Sequence, residues 1–353
     1  MRYLLSRPIA LLVVTAAVFE TAVHLRSSSL ASHEELPRIH LIATGGSISA
    51  RSQGPRLSAE DLVHSVPALD RYVRPEWEQF SNVASTALTL EEWLQLARRI
   101  NGLFSSDAAL DGVVVATGTD TLEELAYFLH LTVKGPRPVV LVGSMRTPGS
   151  AGYDGPANLL SAFRTAADAG ASGKGVLVVM HDDIHSAREV VKTDTQRLDA
   201  FRSRHGAIGL VDREGVQFAR APAKRHTTRS EFDIDAIAEL PRVDILLFYQ
   251  GVTPDLVQAA IDLGARGLVL AVAGADTTAG SLAAGLEYAA RQSVPVVLST
   301  RTGGGRITAA GEAAWQGYVA AEDLPPLKAR VLLALALTQG ATQDEIQRIF
   351  QEY

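Results

Sequence analysis

Three short stretches place side-chain hydroxyls beside glycines: Thr44-Gly-Gly46, Thr117-Gly-Thr119 and Gly143-Ser144. Each follows an apolar run. Glycine lets a chain turn tightly and approach a ligand, and in open parallel sheets ligands bind beyond the carboxyl ends of the strands. Two threonines at neighbouring strand ends would face the same small molecule. Thr119-Asp120-Thr121 also stands where a helical pattern begins, and Thr and Asp are strong helix caps. The catalytic reading makes Thr119 a nucleophile and Asp120 its partner. A threonine hydroxyl is a poor nucleophile until a base takes its proton. A lysine serves as that base if burial lowers its pKa from about 10.4. Asp120 nearby would pull the other way and keep the lysine charged.

Other chemistries find less support. The chain has no cysteine, which excludes disulfides, zinc–thiolate sites, iron–sulfur clusters and a cysteine nucleophile together. His181-Asp-Asp-Ile-His185 follows a strand, and Asp182-Asp183 reads as turn chemistry rather than a metal site. There is no H-E-x-x-H helix, no Walker loop and no G-x-G-x-x-G after a strand. Gly303-Gly-Gly305 reads as a flexible loop. No metal or cofactor is expected.

The elements that must position these residues are legible as patterns. Continuous apolar runs at Arg38–Ala43, Val113–Ala116, Pro138–Val142 and Gly175–Val179 suit strands covered on both faces. Thr89-Leu-Glu-Glu92 is a capping box opening a helix towards Ile100. Thr121-Leu-Glu-Glu124 opens a second helix, and Pro156 to Ala167 forms a third. Strand, loop and helix in alternation imply a parallel sheet with helices on both faces. From Phe218 to Pro241 the pattern lapses, and Ala221 to Ser230 is polar and aperiodic. Strand signals return at Asp244–Phe248, Gly267–Val272 and Val294–Ser299, with helical patterns at Pro254–Leu263, Gly280–Arg291, Pro326–Leu337 and Thr342–Phe350.

The expected fold is therefore α/β: a larger N-terminal parallel-sheet domain over 37–220, a linker over 221–241 and a smaller C-terminal α/β domain over 242–353. The 353 residues fit two domains of ordinary size. Charged residues make up 20% and the net charge is -6, so disorder and nucleic-acid binding are both disfavoured. Residues 1–36 read as a leader. Arg2 and Arg7 precede an apolar run from Ile9 to Phe19, as in a secretory signal. That run is shorter than the roughly 20 residues of a membrane span. Ser29-Leu-Ala31 and Thr15-Ala-Ala17 are candidate cleavage sites. A periplasmic or secreted protein is expected, with no membrane attachment beyond this signal or anchor.

Taken together, these segments resemble the bacterial-type L-asparaginase family. Ile42-Ala-Thr-Gly-Gly-Ser-Ile48 is similar to its first threonine motif, and Thr117-Gly-Thr-Asp-Thr-Leu-Glu-Glu124 to its second. Pro138-Val-Val-Leu-Val-Gly-Ser-Met-Arg146 with Asp154-Gly-Pro-Ala-Asn158 is a further hallmark, and Arg188-Glu-Val-Val-Lys-Thr193 resembles the catalytic-lysine segment. The resemblance runs from about Arg38 to the C-terminus. It implies a cofactor-free amidohydrolase that releases ammonia from asparagine, and in some members from glutamine. Thr44 falls on the first catalytic threonine; Thr119, Lys192 and Asp120 fall on the second threonine, its lysine and its aspartate. Ser85 falls on a serine for the substrate α-carboxylate, with Thr86 and Gly118 beside it, and Asp120 also takes the α-ammonium. The resemblance points to Thr44 as the attacking group, whereas the residues present support Thr119 with Lys192. It further implies an intimate dimer within a dimer of dimers.

The sequence departs from the family at several points. No tyrosine lies between Gly45 and Leu69, where the family's flexible loop carries one. Thr117 stands where the family has histidine, and Thr86 where Gln or Glu is usual. The usual Gly-Asn motif of the C-terminal domain is Ala273-Gly-Ala-Asp-Thr-Thr278 here, with Asp276 or Thr277 as substitutes and Glu287 and Glu312 as further contributors. These departures leave two other readings: a related amidase preferring glutamine, a D-isomer or another amide, and a catalytically weak amino-acid-binding protein on the same scaffold.

Overall fold

The computed structural model describes residues 35–274, 282–308 and 318–353. The leader up to residue 34, Asp276, Thr277 and Glu312 lie outside the described residues.

The first motif ends strand β1 (Arg38–Gly45). Helix α1 (Ala59–His64) follows, closed by a capping box between Ser58 and Asp61. Strand β2 (Arg74–Val83) leads to α2 (Leu90–Ser106), whose capping box joins Thr89 and Glu92. Next come β3 (Gly112–Ala116), α3 (Leu122–Thr132), β4 (Val139–Val142), α4 (Gly155–Ala167) and β5 (Val176–Met180). Five shorter strands follow: β6 (Asp183–Ser186), β7 (Val190–Lys192), β8 (Phe201–Ser203), β9 (Gly209–Val211) and β10 (Val216–Phe218). Eight strands form one sheet in the order β10-β9-β6-β5-β4-β3-β1-β2, and β7 pairs with β8 separately.

The expected parallel sheet holds for β2, β1, β3, β4 and β5. Beyond β5 the pairing turns antiparallel, in strands too short to show a period. Their turn is built by His181 and Asp182, with φ of 52° and 65°. Met180 pairs with Asp183 across it, so the turn has the two-residue hairpin form with both central residues left-handed. Asp183 itself belongs to the strand.

Along the central strands alternate residues serve opposite faces. Val113, Val115, Val139, Leu141, Val176 and Val178 pack under α2 and α3. Val114, Ala116, Val140, Val142, Leu177 and Val179 pack against α1 and α4. Full burial of each such side chain stabilises the fold by about 1.5–3 kcal/mol.

The smaller sheet is parallel throughout, in the order β11-β12-β13-β14. Its strands are β11 (Val243–Leu247), β12 (Gly267–Val272), β13 (Val296–Thr300) and β14 (Val319–Ala320). Helices α5 (Asp255–Asp262) and α6 (Ala283–Arg291) cover one face. Helices α7 (Pro326–Thr338) and α8 (Gln343–Glu352) cover the other. Helix α7 is apolar nearly all round because it is sandwiched between this sheet and α3. One core cluster therefore runs from Val113 and Leu125 through Leu332 to Val269.

The connecting stretch is anchored despite its polar composition. His226, Thr227, Phe232 and Ile234 are buried, and the His226 ring packs at a tilt against His130 of α3, 4.8 Å between ring centres. Polar neighbours in the sequence hide these anchors.

Candidate active site

Strands β1 and β3 are paired neighbours through Ala43 and Ala116, so the residues that follow, Thr44 and Thr117, come off the sheet side by side. The Thr44 hydroxyl donates to Thr117 Oγ1 at 2.8 Å and approaches Ala116 O at 3.3 Å. Both threonines are buried. Just beyond, at Gly46 and Gly118, the two backbones nearly touch. A Cβ on Gly46 would lie 2.1 Å from Gly118 Cα, and one on Gly118 would lie 2.8 Å from Ser85 Oγ. The two threonine motifs thus interlock through glycines, and Ser85 closes the third side. Ser85 is buried, Thr86 beside it is exposed, and the Thr121 hydroxyl donates to Ser85 O at 3.2 Å. Gly143 backs this group: a Cβ there would meet Thr119 Cγ2 at 2.9 Å.

Lys192, the last residue of β7, reaches across to the second motif. Its Nζ lies 2.9 Å from Thr119 Oγ1 and 2.7 Å from Asp120 Oδ1. The lysine side chain is 16% exposed and that of Asp120 is 68% exposed. The hydroxyl is therefore buried, the ammonium mostly shielded and the carboxylate open to solvent. At the start of α3 the capping reading finds no side-chain bond: Thr121 makes no side-chain cap bond to the helix, and Thr119 and Asp120 contact Lys192 instead.

Two acidic residues on α3 were legible only as first-turn acids. Glu123 is buried, and its Oε2 accepts the backbone N–H of Lys192 at 3.1 Å. Burial pushes its carboxyl up, against the pull of the Lys328 and Lys192 charges. Burial also pushes Glu124 up, countered by Arg330 of α7 at 3.1 Å. Nothing in the spacing of either residue announces these partners.

Other expected site residues are placed differently. The hydroxyl of Ser144 is buried and donates to Arg146 O at 2.6 Å, so this third strand end serves its own loop. His185 is buried with Nδ1 3.0 Å from Ser203 Oγ, whereas His181 sits exposed at the hairpin turn. Glu287 of α6 pairs with Arg291 on the same helix. Among the described residues no group of three or more His, Asp or Glu is placed to hold a metal.

The loop after the first motif is clamped without a tyrosine of its own. Arg56 Nη1 donates to Gly46 O at 2.9 Å, and Tyr153 Oη donates to Ile48 O at 2.6 Å.

A family model described as asparaginase, N-terminal, matches residues 38–224, and one described as glutaminase/asparaginase C-terminal domain matches residues 242–350. The chain belongs to the asparaginase family. It is 40% identical over 337 residues to L-asparaginase 2 of Bacillus subtilis, covering 93% of this chain and 89% of that protein. It is 38% identical to a probable periplasmic L-asparaginase of Haemophilus influenzae, covering 92% and 95%. Its structure is similar to a crystal structure of a probable cytoplasmic L-asparaginase from Campylobacter jejuni, with a TM-score of 0.85 and 38% identity, covering 90% of this chain and all of that one.

The asparaginase segment Asp154-Gly-Pro-Ala-Asn158 is a clamp here. Asp154 accepts the N–H groups of Met145 and Arg146, both at 2.9 Å. Asn158 donates to Gly143 O at 3.0 Å and accepts from His181 N at 3.1 Å. Two side chains thereby fix the loops that leave β4 and β5.

Proposed function

We propose that this asparaginase hydrolyses the side-chain amide of L-asparagine, releasing ammonia and leaving L-aspartate. The observation that carries the reading is the contact of Lys192 Nζ with both Thr119 Oγ1 and Asp120 Oδ1. Lys192 Nζ acts as the base that takes the Thr119 proton as the oxygen attacks the amide carbon. The same proton then goes to the departing nitrogen, which leaves as ammonia from an acyl-threonine ester. Water cleaves the ester and restores the hydroxyl. Exposed Asp120 holds the substrate ammonium, and Ser85, Thr86 and Gly118 receive its α-carboxylate. Thr44, fixed by Thr117, is the second catalytic hydroxyl. The alternative assignment makes Thr44 the attacking group and Thr119 the second.

A second substrate reading has specific support. The C-terminal family model carries glutaminase in its description, and the loop after Gly46 is short and clamped by Arg56. Ammonia release from L-asparagine, L-glutamine and D-asparagine separates the two: the primary reading requires the highest kcat/KM with L-asparagine. A preference for L-glutamine would replace it.

The N-terminal charge and apolar run support export to the periplasm or beyond, in keeping with the name of the Haemophilus influenzae relative, a probable periplasmic L-asparaginase. The N-terminal residue of protein recovered from a periplasmic fraction tests this. A dimer of dimers is the expected assembly; full activity in a sedimenting monomer would oppose it.

A further inference from the structure

Lys328 is a fully buried lysine with no part in the chemistry proposed above. It stands in the first turn of α7, in the C-terminal half of the chain, yet its Nζ reaches the strand of the catalytic lysine. It donates to Ala187 O at 2.8 Å, Arg188 O at 2.9 Å and Val190 O at 2.5 Å. An ammonium carries three N–H donors, and all three are used on one stretch of backbone that ends at Lys192. From the other side Glu123 accepts the N–H of Lys192 itself at 3.1 Å. The same stretch is gripped again through Arg188, which donates to Tyr353 O at 2.6 Å and pairs with Asp323 at 2.7 Å.

We propose that Lys328 and Glu123 are positioning residues for catalysis: between them they fix the backbone of residues 187–192 so that Lys192 Nζ meets Thr119 Oγ1. This rests on the reading of Lys192 as the base. Four polar backbone groups in six residues are satisfied by two buried side chains, one from α3, which Thr119 and Asp120 precede, and one from α7. A short two-stranded ladder of three residues has little of its own to hold it in register. The anchors supply what the ladder lacks. The arrangement also makes the C-terminal sheet domain part of the active-site scaffold, through α7, within a single subunit. Burial lowers the pKa of Lys328, opposed chiefly by Glu123; that carboxylate helps retain the third proton needed for the third carbonyl.

The test compares Lys328→Met and Glu123→Leu with Lys192→Met in the full chain, using ammonia release from L-asparagine, with circular dichroism to count folded protein. Misplacing a catalytic group by about 1 Å costs on the order of 10²-fold. Folded Lys328→Met is therefore expected to lose between about tenfold and 10²-fold in kcat, with KM within about twofold of the parent because the substrate contacts are untouched. A merely structural lysine would reduce the folded fraction and leave kcat per folded molecule unchanged; that result would overturn the proposal. Should Lys328→Met not fold, Glu123→Leu decides. It removes the acceptor of the Lys192 N–H and the carboxylate charge that faces Lys328, so it loosens the same stretch, and the same kcat loss at constant KM is expected. If Lys192→Met keeps full turnover, the assignment of the base fails, and the positioning proposal falls with it.

Discussion

The Thr44 hydroxyl donates to the Thr117 hydroxyl over 2.8 Å, both side chains buried at the ends of adjacent parallel strands. This bond fixes the rotamer of Thr44 in a site whose loop has no tyrosine. Thr117→Val removes the acceptor at nearly constant volume. A net hydrogen bond of about 1 kcal/mol corresponds to a loss of roughly five- to tenfold in kcat/KM. Thr117→Ser should retain most of the activity. Steady-state ammonia release on the three proteins checks it.

Gly46→Ala is expected to be among the most damaging small substitutions. The new methyl would sit 2.1 Å from Gly118 Cα, at a φ of +85°. Overpacking and left-handed strain together cost about 3 kcal/mol or more. Gly102→Ala in the middle of α2 meets nothing within 4 Å and should instead stabilise by about 0.5–1 kcal/mol. Paired urea melts would show opposite shifts of the midpoint.

Breaking the Arg188–Asp323 pair should be costly. Burial pushes the Asp323 carboxyl up, but the hydrogen bonds from Arg188 outweigh it and hold the pKa at about 2. Arg188→Met would leave a partly buried carboxylate unpaired, at a cost of about 3–5 kcal/mol. A melting temperature unchanged from the parent would contradict this.

Stability should fall as pH drops below neutrality. Burial holds His185 and His226 down to about 4, and His130 well below its ordinary value. Above about pH 6.5 these histidines are neutral in both folded and unfolded chains, and their contribution is complete. Below that the unfolded chain takes up protons the folded one refuses, so each costs up to about 1.4 kcal/mol per pH unit until the folded pKa is reached. His185→Gln, which cannot titrate, should flatten part of the decline in melting temperature between pH 7 and 5. An identical slope in parent and variant would argue against it.

The sequence made the buried central strands plain, because β3, β4 and β5 are unbroken valine and leucine runs flanked by glycine and turn residues. It did not disclose β2. In that edge strand the charged Glu76 and Glu78 are half-buried while Trp77 and Gln79 beside them are exposed, and it carries Pro75, a residue tolerated at an edge. Within the site, Thr44, Thr119 and Asp120 were legible because hydroxyls and an acid follow strands beside glycines. Lys192 had no local pattern and was placed by resemblance to a family motif. Glu123 and Lys328 were invisible for a different reason: their partners are backbone groups 69 and about 140 residues away. Ser144 looked like a third site hydroxyl, yet its bond to Arg146 O lies within its own loop.

The most direct test of the account is ammonia release from L-asparagine by Thr119→Val and Lys192→Met, beside the parent protein and Thr44→Val, all with folding verified. Removing the activated nucleophile or its base is expected to lower kcat by about 10³-fold or more. Near-parental turnover in Thr119→Val together with a loss in Thr44→Val would make Thr44 the attacking group. Near-parental turnover in Lys192→Met would contradict the account at its centre.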